Sequence, residues 1–310
     1  MLTEAQSFPS VSVVICTRNR PDTNEQAVDS VLANDFQHFD VTIIDQSTTT
    51  STEERIRPRL GENPHLHYVH VEQPGLSRAY NVGIAGTSGE ILAFTDDDCV
   101  APRNWLSTIV QAFREDEQAD LLYGQVLAPG SQTAEGSVTP ALAIERPERL
   151  SRRDGFRVFG MGANFAARRR LFECVGGFDE ILGGGAPLRS SQDYDLSYRS
   201  YVSGRAILLR PDVQVVHYGT RSSEEWPATL RAYGIGDGAF YFKHVRCFDL
   251  YALRLLAGQL LTHFFRHIAF RLRGRGPGNL TYVRFILVGI WQCLQFDVDR
   301  HSRLYSTRLR

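Results

Sequence analysis

The sequence predicts an α/β protein: a largely parallel, doubly wound sheet with flanking helices, followed by a helical C-terminal extension. Three observations carry this. Val/Ile-rich runs of strand length alternate with amphipathic stretches of helix length. Carboxylates recur at the ends of those apolar runs. Beyond residue 230 the pattern changes to long apolar helical segments with a basic surplus. Element by element, residues 11–16 are a continuous β-rich run closed by a turn from Thr17 through Arg18, Asn19 and Arg20 to Pro21. A helix follows over 24–33, with Ala27, Val28, Val31 and Leu32 on its inner face. Residues 41–44 form a buried strand ending at Asp45, and 67–71 a short third strand. Residues 76–85 are helix-like, 91–95 a strand, 105–115 a helix and 121–127 another strand. Residues 129–156 mix Gly, Ser, Pro and charge and are read as a long excursion from the core. The sheet domain therefore spans 1–220, in halves 1–128 and 129–220, and the extension spans 221–310.

Composition narrows the function. Net charge is −1 over 310 residues, yet residues 231–310 hold thirteen Lys/Arg against four Asp/Glu. A basic tail facing something anionic follows. The body shows no basic run interleaved with aromatics, so nucleic acid is not an expected partner. Five dispersed cysteines (Cys16, Cys99, Cys174, Cys247, Cys293) form no C-x-x-C pair and fit a reducing cytosol. The first ten residues lack signal-peptide character, and no apolar run reaches the length of a membrane span. The expected location is cytoplasmic, at the inner face of the cytoplasmic membrane.

Residues 91–98 read ILAFTDDD, an apolar run that stops on Asp96, Asp97 and Asp98. Ligands of open α/β sheets sit at such carboxyl ends. Three adjacent carboxylates repel one another unless a positive charge neutralises them, and a divalent cation with oxygen ligands answers that need. The alternative is an acidic turn capping the 105–115 helix. Asp45 ends a neighbouring strand and shares the crevice. Arg18 and Arg20 in the first turn suit phosphate oxygens. No G-x-G-x-x-G or Walker motif accompanies them, which disfavours dinucleotide and P-loop chemistry. Gly234, Gly236 and Gly238 have no preceding strand and are read as a turn. His65, His67 and His70 lack a further zinc ligand nearby and are placed on the surface. What remains is a nucleotide held through a divalent metal on its diphosphate.

Four segments, in order and spacing, resemble the family 2 glycosyltransferases, which have the GT-A fold and use nucleotide-sugar donors. Residues 13–21 (VVICTRNRP) resemble the family's opening strand and nucleotide-contacting turn, and residues 43–47 (IIDQS) its second strand. Residues 75–83 (GLSRAYNVG) resemble the helix that brings an Arg and an Asn to the donor, and Asp96-Asp97-Asp98 occupies the D-x-D metal position. Gln46 replaces a more usual Asp or Asn. The likeness runs from about residue 11 to 218 and makes 1–128 the nucleotide-sugar half and 129–220 the acceptor half. It implies that Thr17, Arg18, Arg20, Asp45, Arg78, Asn81 and Asp96 hold a UDP-, GDP- or dTDP-linked sugar. Asp96 and Asp98 would take Mn²⁺ or Mg²⁺, with Asp98 the direct ligand and Asp97 in neither role.

In the second half, residues 162–166 and 175–180 resemble the acceptor-side strand and turn. Residues 191–195 (SQDYD) resemble the family's acidic motif, with Gln192 in place of Glu. The resemblance makes Asp193 the general base of an inverting displacement onto an acceptor hydroxyl. Read alone, Ser190 and Asp193 approximate a capping box for a helix over 196–202. Asp195 is read as a first-turn residue complementing that helix's dipole. Gly183-Gly184-Gly185 suits a mobile lid or a plain loop. His217 ends the run 213–216; metal ligation, as in metal-dependent members of the family, is preferred to a structural role.

The tail reads as a helix over 250–272 and a second apolar segment over 285–296. It is either a helical pair packed on the domain or an in-plane membrane contact, the latter fitting a lipid-linked or envelope-bound acceptor in polysaccharide or glycoconjugate synthesis. Two rivals stand beside this reading. One is a haloacid-dehalogenase-like Mg-dependent phosphatase, since Asp96, Asp98 and Val100 match D-x-D-x-[TV]. The other is a non-catalytic glycan- or nucleotide-sugar-binding protein.

Overall fold

A computed structural model of the chain describes residues 8–130, 137–157, 160–272 and 280–307, with backbone alone at 270 and 271. In chain order the elements are β1 (Val11–Thr17), α1 (Pro21–Leu32), β2 (Phe39–Asp45), α2 (Ser51–Glu62), β3 (Leu66–His70), α3 (Leu76–Gly86), β4 (Ile91–Asp96), β5 (Cys99–Val100), α4 (Trp105–Glu115) and β6 (Ala119–Leu127). There follow β7 (Ser137–Val138), β8 (Glu148–Leu150), β9 (Asn164–Arg168), α5 (Arg169–Val175), α6 (Gln192–Val202), β10 (Ala206–His217) and β11 (Arg221–Ser222). The chain closes with α7 (Trp226–Arg246), α8 (Leu250–Leu272), α9 (Leu280–Cys293), β12 (Phe296–Asp299) and β13 (Leu304–Thr307).

Two compact units result. The first comprises Met1–Pro74, Ala79–Gly177 and Ser197–Thr220; the second comprises Gly75–Arg78, Phe178–Leu196 and Arg221–Arg310. The first is built on a sheet in the order β3-β2-β1-β4-β9-β6-β10-β5, with β8 also paired to β10. Strands β1 to β4 run parallel because helices connect them, and β9 enters antiparallel between β4 and β6. Strands covered on both faces need apolar residues throughout, and Val13, Val14, Ile15, Ile43, Ile44, Leu92, Ala93 and Phe94 are all fully buried. On one side Val11, Val13 and Ile15 join Val28 and Val31 of α1 in the core. On the other, Phe94 stacks on Phe165 with centroids 4.4 Å apart and Tyr80 stands edge-on to both.

Register decides what this sheet presents. Thr17 lies beside Asp45, and Cys16 beside Asp96, so the polar residues that end three neighbouring strands share one rim. The excursion expected over 129–156 is partly inside the sheet, since β8 pairs antiparallel with Ile207 to Leu209.

The second unit centres on α7, α8 and α9 and a β12–β13 hairpin. The 250–272 helix is found as expected, while the next helix begins at Leu280, ahead of the apolar run. The glycine-rich turn is corrected: Gly234, Gly236 and Gly238 lie inside the 21-residue α7. Side chains there would collide with neighbours. A Cβ on Gly234 would stand 2.6 Å from Phe285, one on Gly238 would strike the Ile286 backbone, and one on Gly236 would strike Ser190. Close helix approach outweighs the roughly 1 kcal/mol that each glycine costs a helix.

Candidate active site

In the first unit, β4 delivers Asp96 at its end, and the chain turns through Asp97 and Asp98 into β5. That short strand pairs antiparallel with the last residues of β10, setting Cys99 opposite His217. His217 Nε2 consequently lies 3.1 Å from Asp98 Oδ1, with both side chains 4% exposed. The other ring nitrogen, Nδ1, is 3.0 Å from the Pro140 carbonyl. A carbonyl only accepts, so Nδ1 carries the proton and Nε2 is turned to the carboxylates. Asp98, Cys99 and His217 each offer a ligand atom, all within 4.8 Å of one another. Gly219 passes directly over this pair: a Cβ there would overlap Asp98 Oδ2 and come 2.9 Å from His217 Nε2.

The β1–α1 turn reaches the same carboxylates. Thr17 Oγ1 donates to Asp97 Oδ2 at 2.7 Å, and Arg20 Nη1 donates to Asp97 Oδ1 at 3.2 Å and Asp98 Oδ2 at 2.9 Å. Asp97, expected to be idle, is therefore the anchor of this turn. The turn is shaped by Asn19 at φ 57°, whose N–H donates to Ser47 and whose Oδ1 accepts from the Thr48 N–H.

Electrostatics reflect the crowding. Burial first, then the charges of Asp98 and Asp97, push Asp96 up to about 7. Burial opposes charge on His217, but its hydrogen bond to Asp98 and the charges of Asp98 and Asp96 outweigh it and raise the imidazole. Burial raises the Cys99 thiol, so it is a weak candidate beside the oxygen and nitrogen donors. Two features fit a divalent cation. Three clustered carboxylates face one half-exposed guanidinium, and the backbone over Asp98 and His217 leaves room only for hydrogen. Carboxylate oxygens plus one imidazole suit a hard-to-borderline ion such as Mn²⁺ or Mg²⁺.

The remaining first-unit candidates differ in availability. Asp45 is wholly buried: Oδ1 accepts from the Ser47 N–H at 2.8 Å and Oδ2 from the Tyr68 hydroxyl at 2.6 Å. A nucleotide contact there would have to exchange one of these bonds. Arg18 is exposed beside the rim. Asn81 is held against the backbone at Gly177, where a Cβ would stand 2.5 Å from its Oδ1.

Arg78 and Asp193 belong to the second unit, as does Glu180, which pairs with Arg78 at 2.9 Å. Asp193 stands in the first turn of α6, where its Oδ1 accepts the Tyr194 N–H at 2.9 Å. The segment before it is tightly wound, with Gly183, Gly185, Arg189 and Ser191 all at positive φ. Ser190 donates to the Ala232 carbonyl of α7 at 3.0 Å rather than standing only as a helix cap. Ser191 Oγ donates to Asp237 Oδ1 at 2.8 Å, and the Tyr282 hydroxyl donates to Asp237 Oδ2 at 2.6 Å. Burial above all raises Asp237, to about 6; its two hydrogen bonds oppose the rise and the charge of Asp193 adds to it. Asp195 stands in the first turn of α6 as expected, and it has further partners there. It is fully buried, 2.6 Å from Lys243 Nζ and 3.0 Å from His244 Nε2.

Sequence reasoning missed Gly219, the Arg20 link to Asp97 and Asp98, and Asp237. Only the last left a trace, as the lone acid inside the glycine repeat of α7.

Comparison with known proteins adds the following. Residues 12–176 match the family model described as glycosyl transferase family 2. The chain is 27% identical over 185 residues to glycosyltransferase AglE of Haloferax volcanii, covering 58% of this chain and 59% of that one. It is 24% identical over 191 residues to glucosyl-dolichyl phosphate glucuronosyltransferase of the same organism, covering 56% and 57%. The chain thus spans somewhat under three-fifths of the length of these curated relatives. Among solved structures, mannosyltransferase PcManGT from Pyrobaculum calidifontis, in complex with GDP-Man and Mn²⁺, superposes with a TM-score of 0.60 at 18% identity, covering 93% of this chain and 88% of that one. The fold is that of the GT-A-type transferases.

Proposed function

Because the chain belongs to glycosyl transferase family 2, we propose that it moves a sugar from a nucleoside-diphosphate donor to an acceptor hydroxyl, with inversion, using Asp193 as the base. Membership makes it a glycosyltransferase and leaves the D-x-D-x-V likeness to phosphatases incidental. The observation that carries the finer reading is the carboxylate surplus at the end of β4, with His217 and the Gly219 backbone shaped around it. Asp96, Asp98 and His217 would hold Mn²⁺ or Mg²⁺, which when bound neutralises diphosphate charge. Thr17, Arg18, Arg20, Asp45, Arg78 and Asn81 are assigned to the nucleotide-sugar. Asp193 takes the acceptor proton as the hydroxyl oxygen bonds to the anomeric carbon and the bond to the diphosphate oxygen breaks. The GDP-Man and Mn²⁺ held by PcManGT support this donor class. The lipid phosphate in the name of one relative supports a lipid-linked acceptor reached at the inner membrane face. Residues 1–128 act on the donor, 129–220 on the acceptor, and 221–310 form the extension.

The test combines binding and transfer. A melting-temperature panel of nucleoside diphosphates and nucleotide-sugars, with and without Mn²⁺, is expected to show metal-dependent stabilisation by one nucleotide. Asp193→Ala should lose about 10²–10⁴-fold in transfer while keeping that stabilisation. Transfer at the unaltered rate by this variant would remove the assignment of the base.

A further inference from the structure

The sequence holds no Asp or Glu from residue 250 to 296, yet six arginines fall in that stretch. The helices formed there are apolar on two sides. In α8, Ala252 and Leu256 are buried, while Leu253, Leu261, Phe264, Ile268 and Leu272 recur at helical spacing on the outside. Leu250 and Leu272, at its two ends, are 78% and 83% exposed. In α9, Ile286, Gly289 and Cys293 face inward, and Leu287 and Trp291 face out, Trp291 at 66% exposure. Arg254, Arg266 and Arg284 are exposed on the same two helices. Scattered exposed leucines need no explanation, but a stripe repeating over a 23-residue helix does.

We propose that the outer face of α8 and α9 is a docking surface for an anionic phospholipid membrane, with the helices lying in the interface plane. The inference goes beyond the transferase reading and does not depend on it. Charge complementarity selects the occupant. Arg254 beside the α8 stripe and Arg284 beside the α9 stripe meet lipid phosphates while Leu and Phe enter the acyl boundary, and tryptophan favours that boundary. A second copy of the chain would bring arginine against arginine with no carboxylate on either helix to answer it. Spanning is not the mode, since no helix among the described residues is long and apolar enough to cross a membrane.

Flotation of the full chain with vesicles tests this. Binding is expected to vesicles of phosphatidylcholine mixed with phosphatidylglycerol at low salt, and to be far weaker with phosphatidylcholine alone. Phe264→Glu with Ile268→Glu should abolish flotation; both side chains are exposed, so the melting temperature should stay unchanged. Arg254→Gln with Arg284→Gln should weaken partitioning by about 25-fold, roughly fivefold for each charge. An Asp193→Ala chain should float like the unaltered one, which separates this result from any failure of the transfer mechanism. Absence of flotation at low salt would overturn the proposal, as would flotation indifferent to the paired Glu substitutions. So would a dimer in size-exclusion chromatography that the same substitutions split and vesicles fail to compete away.

Discussion

Two histidines in this chain meet a buried aspartate at almost the same distance, His217 with Asp98 at 3.1 Å and His244 with Asp195 at 3.0 Å. In each place one cation also bridges two carboxylates: Arg20 joins Asp97 to Asp98, and Lys243 joins Asp179 to Asp195. The settings diverge from there. Lys243 is fully buried, Asp179 further accepts the Tyr305 N–H, and Arg303 donates to the outer nitrogen of His244. Arg20 is 43% exposed, and a third carboxylate, Asp96, crowds its partners. The imidazoles respond in opposite directions. Burial first, with Lys243 and Arg303 assisting and Asp195 opposing, lowers His244 to about 4, whereas His217 is raised by its carboxylates. An Asp–His contact is therefore no sign of a site by itself. The two clusters differ in that the first adds a third carboxylate and a part-exposed cation, whereas Lys243, Asp179 and Asp195 are all fully buried.

The strongest way to break this contrast is Lys243→Met. It strands Asp179 and Asp195 without their ammonium, and removing one partner of a buried pair costs about 3–5 kcal/mol. Urea unfolding should show that loss, and adding Asp195→Asn should recover part of it. A change below about 1 kcal/mol would mean the network is not held by ion pairing.

Next in size is the pH dependence of the closed pair. His244 titrates near 4 in the folded chain, against an ordinary value of 6.5. As pH falls below 6.5 the unfolded chain takes the proton first, so this contribution is complete above 6.5 and drains towards pH 4. The bound is about 3 kcal/mol. Asp237, raised to about 6, works in the opposite sense, so comparison with a His244→Gln variant is needed. The stability gap between the two proteins should narrow from pH 7 to pH 4.5; parallel profiles would show that His244 is not held neutral.

On the open side, Gly219→Ala should act on the ligand and not on the fold. The added methyl overlaps Asp98 Oδ2 beside His217. Cation affinity and transfer should fall about 10–100-fold, the usual scale for disturbing groups around a metal. The metal-free melting temperature should hold. Equal metal-dependent stabilisation in variant and parent would remove the cation from Asp98.

How much of this could be read in the chain depends on where the deciding contact lies. Strands β1, β2 and β4 were legible because burial on both faces writes an uninterrupted apolar run, and α8 because its composition is uniform from residue 250 to 272. The acidic end of β4 was legible as a charge problem, since the three aspartates are adjacent. Its solution was not. Arg20 lies 77 residues from Asp97, and the demand for glycine at 219 comes from Asp98, far back in the sequence. The α7 glycines misled for the same reason. Locally they argue against a helix, and the packing that favours one belongs to Ile286 and Ser190. Asp195 read only as a first-turn acid because its partners Lys243 and His244 are separated from it by about fifty residues.

The smallest effect gives the sharpest discrimination. If the cluster at the end of β4 is a cation site whose carboxylates Asp97 and Asp98 are now held by the Arg20 guanidinium, then Arg20→Gln should have opposite effects in two assays. The guanidinium is 43% exposed although both carboxylates are buried; solvent screening on its side keeps the pair to about 1 kcal/mol, so removing it should raise the affinity for Mn²⁺ alone by up to about fivefold. The same variant loses a donor assigned to the diphosphate and should bind a nucleoside diphosphate more weakly in saturating Mn²⁺. Calorimetric titration of each ligand separately reads both signs. No substitution in the Lys243 network can produce them, because nothing outside the chain is asked to complete that network. A fall in both affinities would instead mean that Arg20 holds the carboxylates in place, and the distinction between an open and a closed cluster would then fail on the open side.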